Sequence, residues 1–245
     1  MEQQFKKERV LIGQGKMAKV YLWNGFAYKC FDKDYPEDWI AYEMKIQTTI
    51  NQLRLPTVKY YSSEISHSIK MDYISGITLA DRVRKEKYKN GLEDLFSIFF
   101  KIHQKGVTNL PRLNPFLLKS IEMLNVEDAQ KERAIEYISD IADDDILCHL
   151  DYHFLNLMYT EDGYCIIDWV NAKIGNPIYD FARTYVILYE YANRLSKKYL
   201  NMIKAHGEFD TTDLQKAIYV MALHRLSERS SEKINQLILF NNVLT

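Results

Sequence analysis

Apolar and polar positions alternate with a period of two through the first part of the chain and with a helical period after it. ERVLIG, MAKVYLW and FAYKCF each cluster or alternate apolar and β-branched residues, separated by Gly13–Gly15 and by Asn24-Gly25, a strong hairpin signal. Pro36 and Asp38 then open a helical stretch with Ile40, Met44, Gln47 and Ile50 on one stripe, and Pro56 closes it. VKYYSSEISHSIKMDY gives two further short strands around a polar turn. The expected product is a five-stranded antiparallel sheet with one inserted helix. Beyond Ser75-Gly76 the period becomes helical. Helices are expected over about 90–105, 113–125, 127–142, 177–205, 211–228 and 231–243. The fold class read from this pattern is α+β and bilobal. A β-rich lobe covers 1–70, a hinge 71–76, and a larger helical lobe 77–245.

Composition narrows the function classes. At 245 residues and 47% hydrophobic, the chain is long enough for a full core. Net charge is −1, so no bulk basic surface points to nucleic acid or anionic membrane. Three cysteines without CxxC spacing indicate a reducing compartment, and a zinc site would need closer ligand pairs. The first ten residues lack the apolar core of a signal peptide, and no run reaches membrane-span length. These readings predict a cytoplasmic protein, monomeric or weakly dimeric, without nucleic-acid or membrane partners.

The candidate chemistry lies in CHLDYHFLNLMYTEDGYCIIDWV. His149, Asp151 and Asn156 have the spacing H-x-D-x-x-x-x-N ahead of a strand-turn-strand that returns to Asp168. A hairpin of that length brings Asn156 and Asp168 to one end of the ribbon. Two such oxygen donors suit a hard cation such as Mg²⁺, and Asp151 is free to orient a hydroxyl and accept its proton. The bland alternative is a capping Asp151, a satisfied core His149 and a strand-ending Asp168. Upstream, Gly13 and Gly15 join two strands, as a phosphate-cradling turn or an ordinary one. Lys29 sits inside an otherwise apolar strand. It is either a snorkelling lysine or an ammonium paired with Glu43 or Glu37. In the phosphoryl-transfer reading, Lys29 holds nucleotide phosphates with Glu43 as its counter-ion. KMDYISG then forms a linker to whose main chain an adenine can bond, with Met71 packed behind.

These residues together resemble the aminoglycoside phosphotransferase and choline kinase family. The resemblance runs from the glycine loop through Lys29, MDYISG and HQKGVTNLP to CHLDYHFLN, IIDW and GNPIYDFAR. It implies a protein-kinase-like fold, ATP or GTP as nucleotide triphosphate with Mg²⁺, and γ-phosphoryl transfer to a small-molecule acceptor. It further implies Asp151 as catalytic base, Asn156 and Asp168 as metal ligands, His149 as a supporting residue and Asp180 as a brace for the catalytic loop. Adenine would lie against the main chain of Asp72 and Ile74. Leu150, Trp169-Val170 and the short run from Asp168 to Asp180 depart from protein kinases and argue against a peptide substrate. The other readings are a kinase acting on protein or protein-bound sugar, and a nucleotide-binding pseudokinase or scaffold.

The resemblance implies an acceptor site built by the helices after Asp180. Residues 181–245 carry six acidic against nine basic side chains, which argues against a polycationic aminoglycoside. Tyr185, Tyr189 and Tyr191 form either a cage for a quaternary ammonium or ordinary core. Glu190 and the run Asp143–Asp145 are further acceptor-side candidates.

Overall fold

The computed structural model describes every residue except Lys16, Thr108 and 240–245. Two compact units emerge. The first joins Met1–Lys87 to Leu155–Val170, and the second joins Tyr88–Phe154 to the chain from Asn171 onward.

The first unit is built on strands β1 (Val10–Gln14), β2 (Ala18–Trp23), β3 (Phe26–Phe31), β4 (Tyr60–Tyr61) and β5 (Ser68–Asp72). They form one sheet in the order β1-β2-β3-β5-β4, with every neighbouring pair antiparallel. The mixed architecture and this five-stranded sheet match the sequence pattern. Helix α1 (Glu2–Glu8) does not, because its seven residues carry a single buried side chain, Phe5. Phe5 packs with Trp23, Tyr28 and Ile65, and burying such a ring contributes about 2 kcal/mol. Helix α2 (Glu37–Asn51) starts after Pro36 with Glu37 and Asp38 in its first turn, where carboxylates complement the helix dipole. Its buried residues are Glu43, Ile46, Gln47 and Ile50.

The linker after β5 is tied into this same unit. β6 (Ile77–Thr78) pairs with β8 (Leu157–Thr160), and β8 pairs with β9 (Gly163–Ile166). A side chain at Gly76 would bring its Cβ within 2.3 Å of the Tyr159 carbonyl oxygen, so only glycine permits this approach. Thr78 caps α3 (Leu79–Lys85) by accepting from the Asp81 N–H at 3.1 Å. These contacts give the strand-turn-strand after Asn156 to the sheet unit. That partition cuts across the sequence division at 71–76.

The second unit contains α4 (Gly91–His103), α5 (Leu113–Glu122), α6 (Asp128–Asp140), α7 (Ile178–Tyr191), α8 (Asn193–His206), α9 (Thr211–Glu228) and α10 (Glu232–Leu239). β7 (Ile146–Cys148) pairs with β10 (Lys173–Gly175), setting Lys173 opposite Cys148. α7 is its central helix, buried almost throughout. The single helix expected over 177–205 is instead two. Ala192, at φ −147° and ψ 57°, breaks the ladder, and neither Gly nor Pro marks the break in the sequence. The expected end of the last helix, 240–243, lies outside the described residues.

Candidate active site

Strand alternation places Ala27, Lys29 and Phe31 on one face of β3 and Tyr28 on the other. Lys29 Nζ lies 2.8 Å from Glu43 Oε1 and 3.3 Å from Asp168 Oδ1. Glu43 is the partner that the sequence left open against Glu37. The Glu37 side chain is 84% exposed and faces His67, whereas the Glu43 side chain is only 4% exposed. Burial opposes the ammonium charge, but Asp168 and Glu43 outweigh it and push Lys29 up to about 12. Burial also raises the Glu43 carboxyl, against the pull of Lys29. The Tyr60 hydroxyl donates to the same Glu43 oxygen at 3.0 Å. Gln47 fixes the helix from behind, donating to the Val58 carbonyl at 2.8 Å and to Thr57 Oγ1 at 3.1 Å.

A cleft of about 350 Å³ opens onto this group. Gly13, Lys29, Met71, Asp72, Ile74 and Asp168 all line it, together with Val20, Ala27 and Tyr60. Gly15 closes the β1–β2 turn by donating to the Ala18 carbonyl at 2.9 Å. A Cβ at Gly13 would meet nothing nearer than Val20 at 3.6 Å, so the fold itself does not demand glycine there. The linker is held by Asp72, whose N–H donates to the Lys59 carbonyl (3.1 Å) and whose carboxylate accepts from Lys59 N–H (3.0 Å) and the Tyr61 hydroxyl (2.8 Å). The Ile74 N–H makes no hydrogen bond among the described residues, and Ile74 lines the cleft. A pocket lined mainly by apolar side chains with a few polar main-chain groups suits a planar base.

The same unit holds the two oxygen donors read as metal ligands. Ile167 N–H donates to the Asn156 carbonyl at 3.0 Å, which sets Asn156 beside the strand end that carries Asp168. Asn156 is buried, while the Asp168 side chain is 38% exposed and its Oδ2 makes no hydrogen bond among the described residues. Asp168 adopts a left-handed backbone at φ 64°, a strained conformation that turns its carboxylate toward Lys29. Among the described residues no group of three or more His, Cys, Asp or Glu gathers to hold a metal alone. An amide and a carboxylate carried on adjoining strand ends fit Mg²⁺, which takes few protein ligands and completes its shell with phosphate and water.

In the second unit, Asp180 sits 1% exposed at the start of α7. Its Oδ2 accepts from the His149 N–H (2.8 Å) and its Oδ1 from the Leu150 N–H (2.6 Å), and His103 Nε2 lies 3.0 Å from Oδ2. Arg183 Nε donates to the Leu150 carbonyl at 3.2 Å. These bonds over-determine Leu150, a non-glycine residue at φ 60°. The Asp151 N–H donates to His149 Nδ1 at 3.3 Å, making Nδ1 the acceptor nitrogen of that buried ring. His153 Nε2 stands 3.7 Å from Asp151 Oδ2. Burial opposes the charge on Asp151, but His153, Arg183 and His149 outweigh it and hold the carboxyl below its ordinary value.

The sequence model of the family described as "Phosphotransferase enzyme family" matches residues 43–216, most of the chain. The chain belongs to this phosphotransferase family. It is a phosphotransferase by membership, and Glu43, His149, Asp151, Asn156, Asp168 and Asp180 all fall in the matched span. Solved structures repeat the fold. Aminoglycoside phosphotransferase APH(4)-Ia, as a thermostable mutant, superposes with a TM-score of 0.67 at 14% identity, over 98% of this chain and 92% of that one. Choline kinase LicA from Streptococcus pneumoniae gives 0.58 at 16% identity, over 98% and 95%. A choline/ethanolamine kinase family protein from Mesorhizobium loti gives 0.60 at 14%, over 96% and 81%. No curated protein sequence matches significantly.

Several acceptor-side candidates of this phosphotransferase have other partners. Glu190 is buried and accepts from Arg225 Nε (3.0 Å) and Nη2 (2.9 Å), with Arg229 Nε at 3.3 Å. Tyr185 is core at 2% exposure, while Tyr191 is 59% exposed. Arg112 pairs with Asp143 and Asp145, so one cation offsets part of the charge of the acidic run. Tyr60, His103, His153 and Arg183 were not singled out in the sequence. The partners of Tyr60, His103 and Arg183 lie far along the chain, whereas His153 stands only two positions from Asp151. Among the described residues no helix is long and apolar enough to cross a membrane.

Proposed function

We propose that this phosphotransferase moves the γ-phosphoryl group of ATP or GTP, with Mg²⁺, to a hydroxyl of a small acceptor. The observation that carries the reading is the Lys29 ammonium held between Glu43 and Asp168 on the rim of the cleft. An ammonium fixed by two carboxylates stays charged and is aimed for phosphate oxygens. Gly13 and Gly15 let the loop main chain approach the triphosphate. The base lies between Val20, Ala27 and Met71, bonded to the Asp72 carbonyl and the unengaged Ile74 N–H. Asn156 and Asp168 hold Mg²⁺, which when bound offsets charge on the phosphoryl oxygens. Solved neighbours in complex with ADP or AMP-PNP and hygromycin B support nucleotide use.

Asp151 orients the acceptor hydroxyl and takes its proton. Held below the ordinary carboxylate range, it is ionised at neutral pH and acts late in the transfer, as an aligning group more than a strong base. Five positions along the chain separate it from Asn156, a reach of at most about 18 Å when extended. His149 and Asp180 support the loop that presents it. Rate enhancement then comes from positioning and electrostatics.

The test is turnover of Mg·ATP with a panel of aminoglycosides, choline, ethanolamine, sugars and amino-alcohols, using a generic protein as control. Asp151→Asn is expected to lose about 10²–10⁴-fold in kcat with nucleotide affinity nearly unchanged. Near-full activity in that variant on the true acceptor removes the assignment.

A further inference from the structure

An aromatic column beside Lys29 has no part in the chemistry above. The Lys29 Nζ lies 5.5 Å from the centroid of the Phe31 ring. Phe31 stacks on Tyr35 with centroids 4.6 Å apart and planes 18° apart, and Trp39 meets Tyr35 edge-on at 5.7 Å. The column starts on the β3 face that also carries Ala27 and Lys29, so it rises from the same side as the cleft. Its outermost member, Trp39, is 59% exposed.

Tyr35 is held at both ends of its residue, yet its hydroxyl is not used. Its N–H donates to the Asp32 carbonyl at 3.0 Å, and its ring is stacked on Phe31 and met edge-on by Trp39. Its hydroxyl makes no hydrogen bond among the described residues, whereas Tyr60 gives its own to Glu43 at 3.0 Å. Burial first, then the carboxylates of Glu43 and Asp168, raise the phenol above its ordinary value against the pull of Lys29. The ring that carries this hydroxyl is thus fixed one aromatic layer from Lys29, by way of Phe31. A phenol that no protein acceptor engages, one ring away from an ammonium suited to phosphate, is available to an anionic oxygen.

We propose that the Tyr35 hydroxyl donates a hydrogen bond to the terminal phosphoryl group of the bound nucleotide, which makes Tyr35 the residue that distinguishes triphosphate from diphosphate. The inference rests on the nucleotide reading of the cleft. It adds a contact that a purely structural column would not supply, because a stacked phenylalanine would serve that column equally well.

Tyr35→Phe keeps the ring and removes only the donor. Calorimetric titration of the full chain with Mg·AMP-PNP and with Mg·ADP separates the outcomes. The expected result is an AMP-PNP dissociation constant raised about tenfold, an ADP constant within about twofold of wild type, and an unchanged melting temperature without nucleotide. Equal shifts for both nucleotides, or none for either, overturn the role of Tyr35 and leave the cleft reading intact. A wild-type protein that binds neither nucleotide defeats the cleft reading and the Tyr35 role together.

Discussion

Two lysines, one in each unit, are both largely withdrawn from water, Lys173 the more completely, and end in opposite electrostatic states. Lys29 lies between Glu43 and Asp168, and the two carboxylates push it up to about 12. Lys173 is 5% exposed on β10. It donates to the Asn171 carbonyl at 3.1 Å, rests over the Phe116 ring at 4.4 Å, and has no carboxylate partner among the described residues. Burial alone pushes it down to about 8. Depth therefore does not decide the charge of an interior amine; its partners do. The first lysine is held charged by two carboxylates, and the second is a tolerated cation that a carbonyl and a ring face stabilise only in part.

The strongest way to break this contrast is Lys29→Met. It leaves Glu43 buried without its counter-ion, and breaking such a pair costs about 3 kcal/mol, read as a loss of urea stability at pH 7. Adding Glu43→Gln should restore most of that loss, since a neutral amide carries no stranded charge. A double variant as unstable as the single one would mean that the pair is not what holds α2 to the sheet. Next in size, Asp168→Ala should weaken Mg·ATP binding about tenfold or more in calorimetry while changing stability little, because this carboxylate is partly solvated. Lys173→Met should shift urea stability by about 1 kcal/mol or less, toward greater stability at pH 7.

The smallest effect is in alkaline pH. For Lys173 the folded value, about 8, lies below the ordinary 10.5, so between these values the unfolded chain binds more protons than the folded one. Its contribution to stability therefore rises across that window. For Lys29 the folded value, about 12, lies above 10.5. Its contribution is complete below the ordinary value and is lost as pH climbs through about 12. Difference curves of wild type against each methionine variant should slope in opposite directions. Parallel curves would put both lysines in the same class.

The sequence was legible where the signal is local. The period-two runs, Asn24-Gly25 and Pro36 mark β1 to β3 and α2, and Glu43 falls on the inward stripe because it is one turn from Ile40. Thr78 ahead of Leu79–Lys85 is likewise a local cap signal for α3. Other features have no local mark. α1 is held by one phenylalanine, β7 and β10 are three residues each, and the break at Ala192 interrupts a continuous apolar stripe. The links of Asp180 to residues 149 and 150 join distant stretches and are reached in the sequence only through the family resemblance, and that of Tyr60 to Glu43 is revealed only by tertiary structure. The positive φ at Leu150 falls on a residue type that gives no hint of it, whereas Asp168 is of a type that tolerates it.

Because β6 pairs with a hairpin from residues 157–166, the sheet unit is assembled from two separate lengths of chain. During synthesis the ribosome must therefore release about 170 residues before this unit can close, and helices of the other unit emerge in between. A fragment ending at Lys87 would carry Lys29 and Glu43 but neither Asn156 nor Asp168, leaving the amine with half its counter-charge. Anyone seeking a minimal piece of this phosphotransferase that keeps Lys29 between both carboxylates would have to splice the hairpin back on.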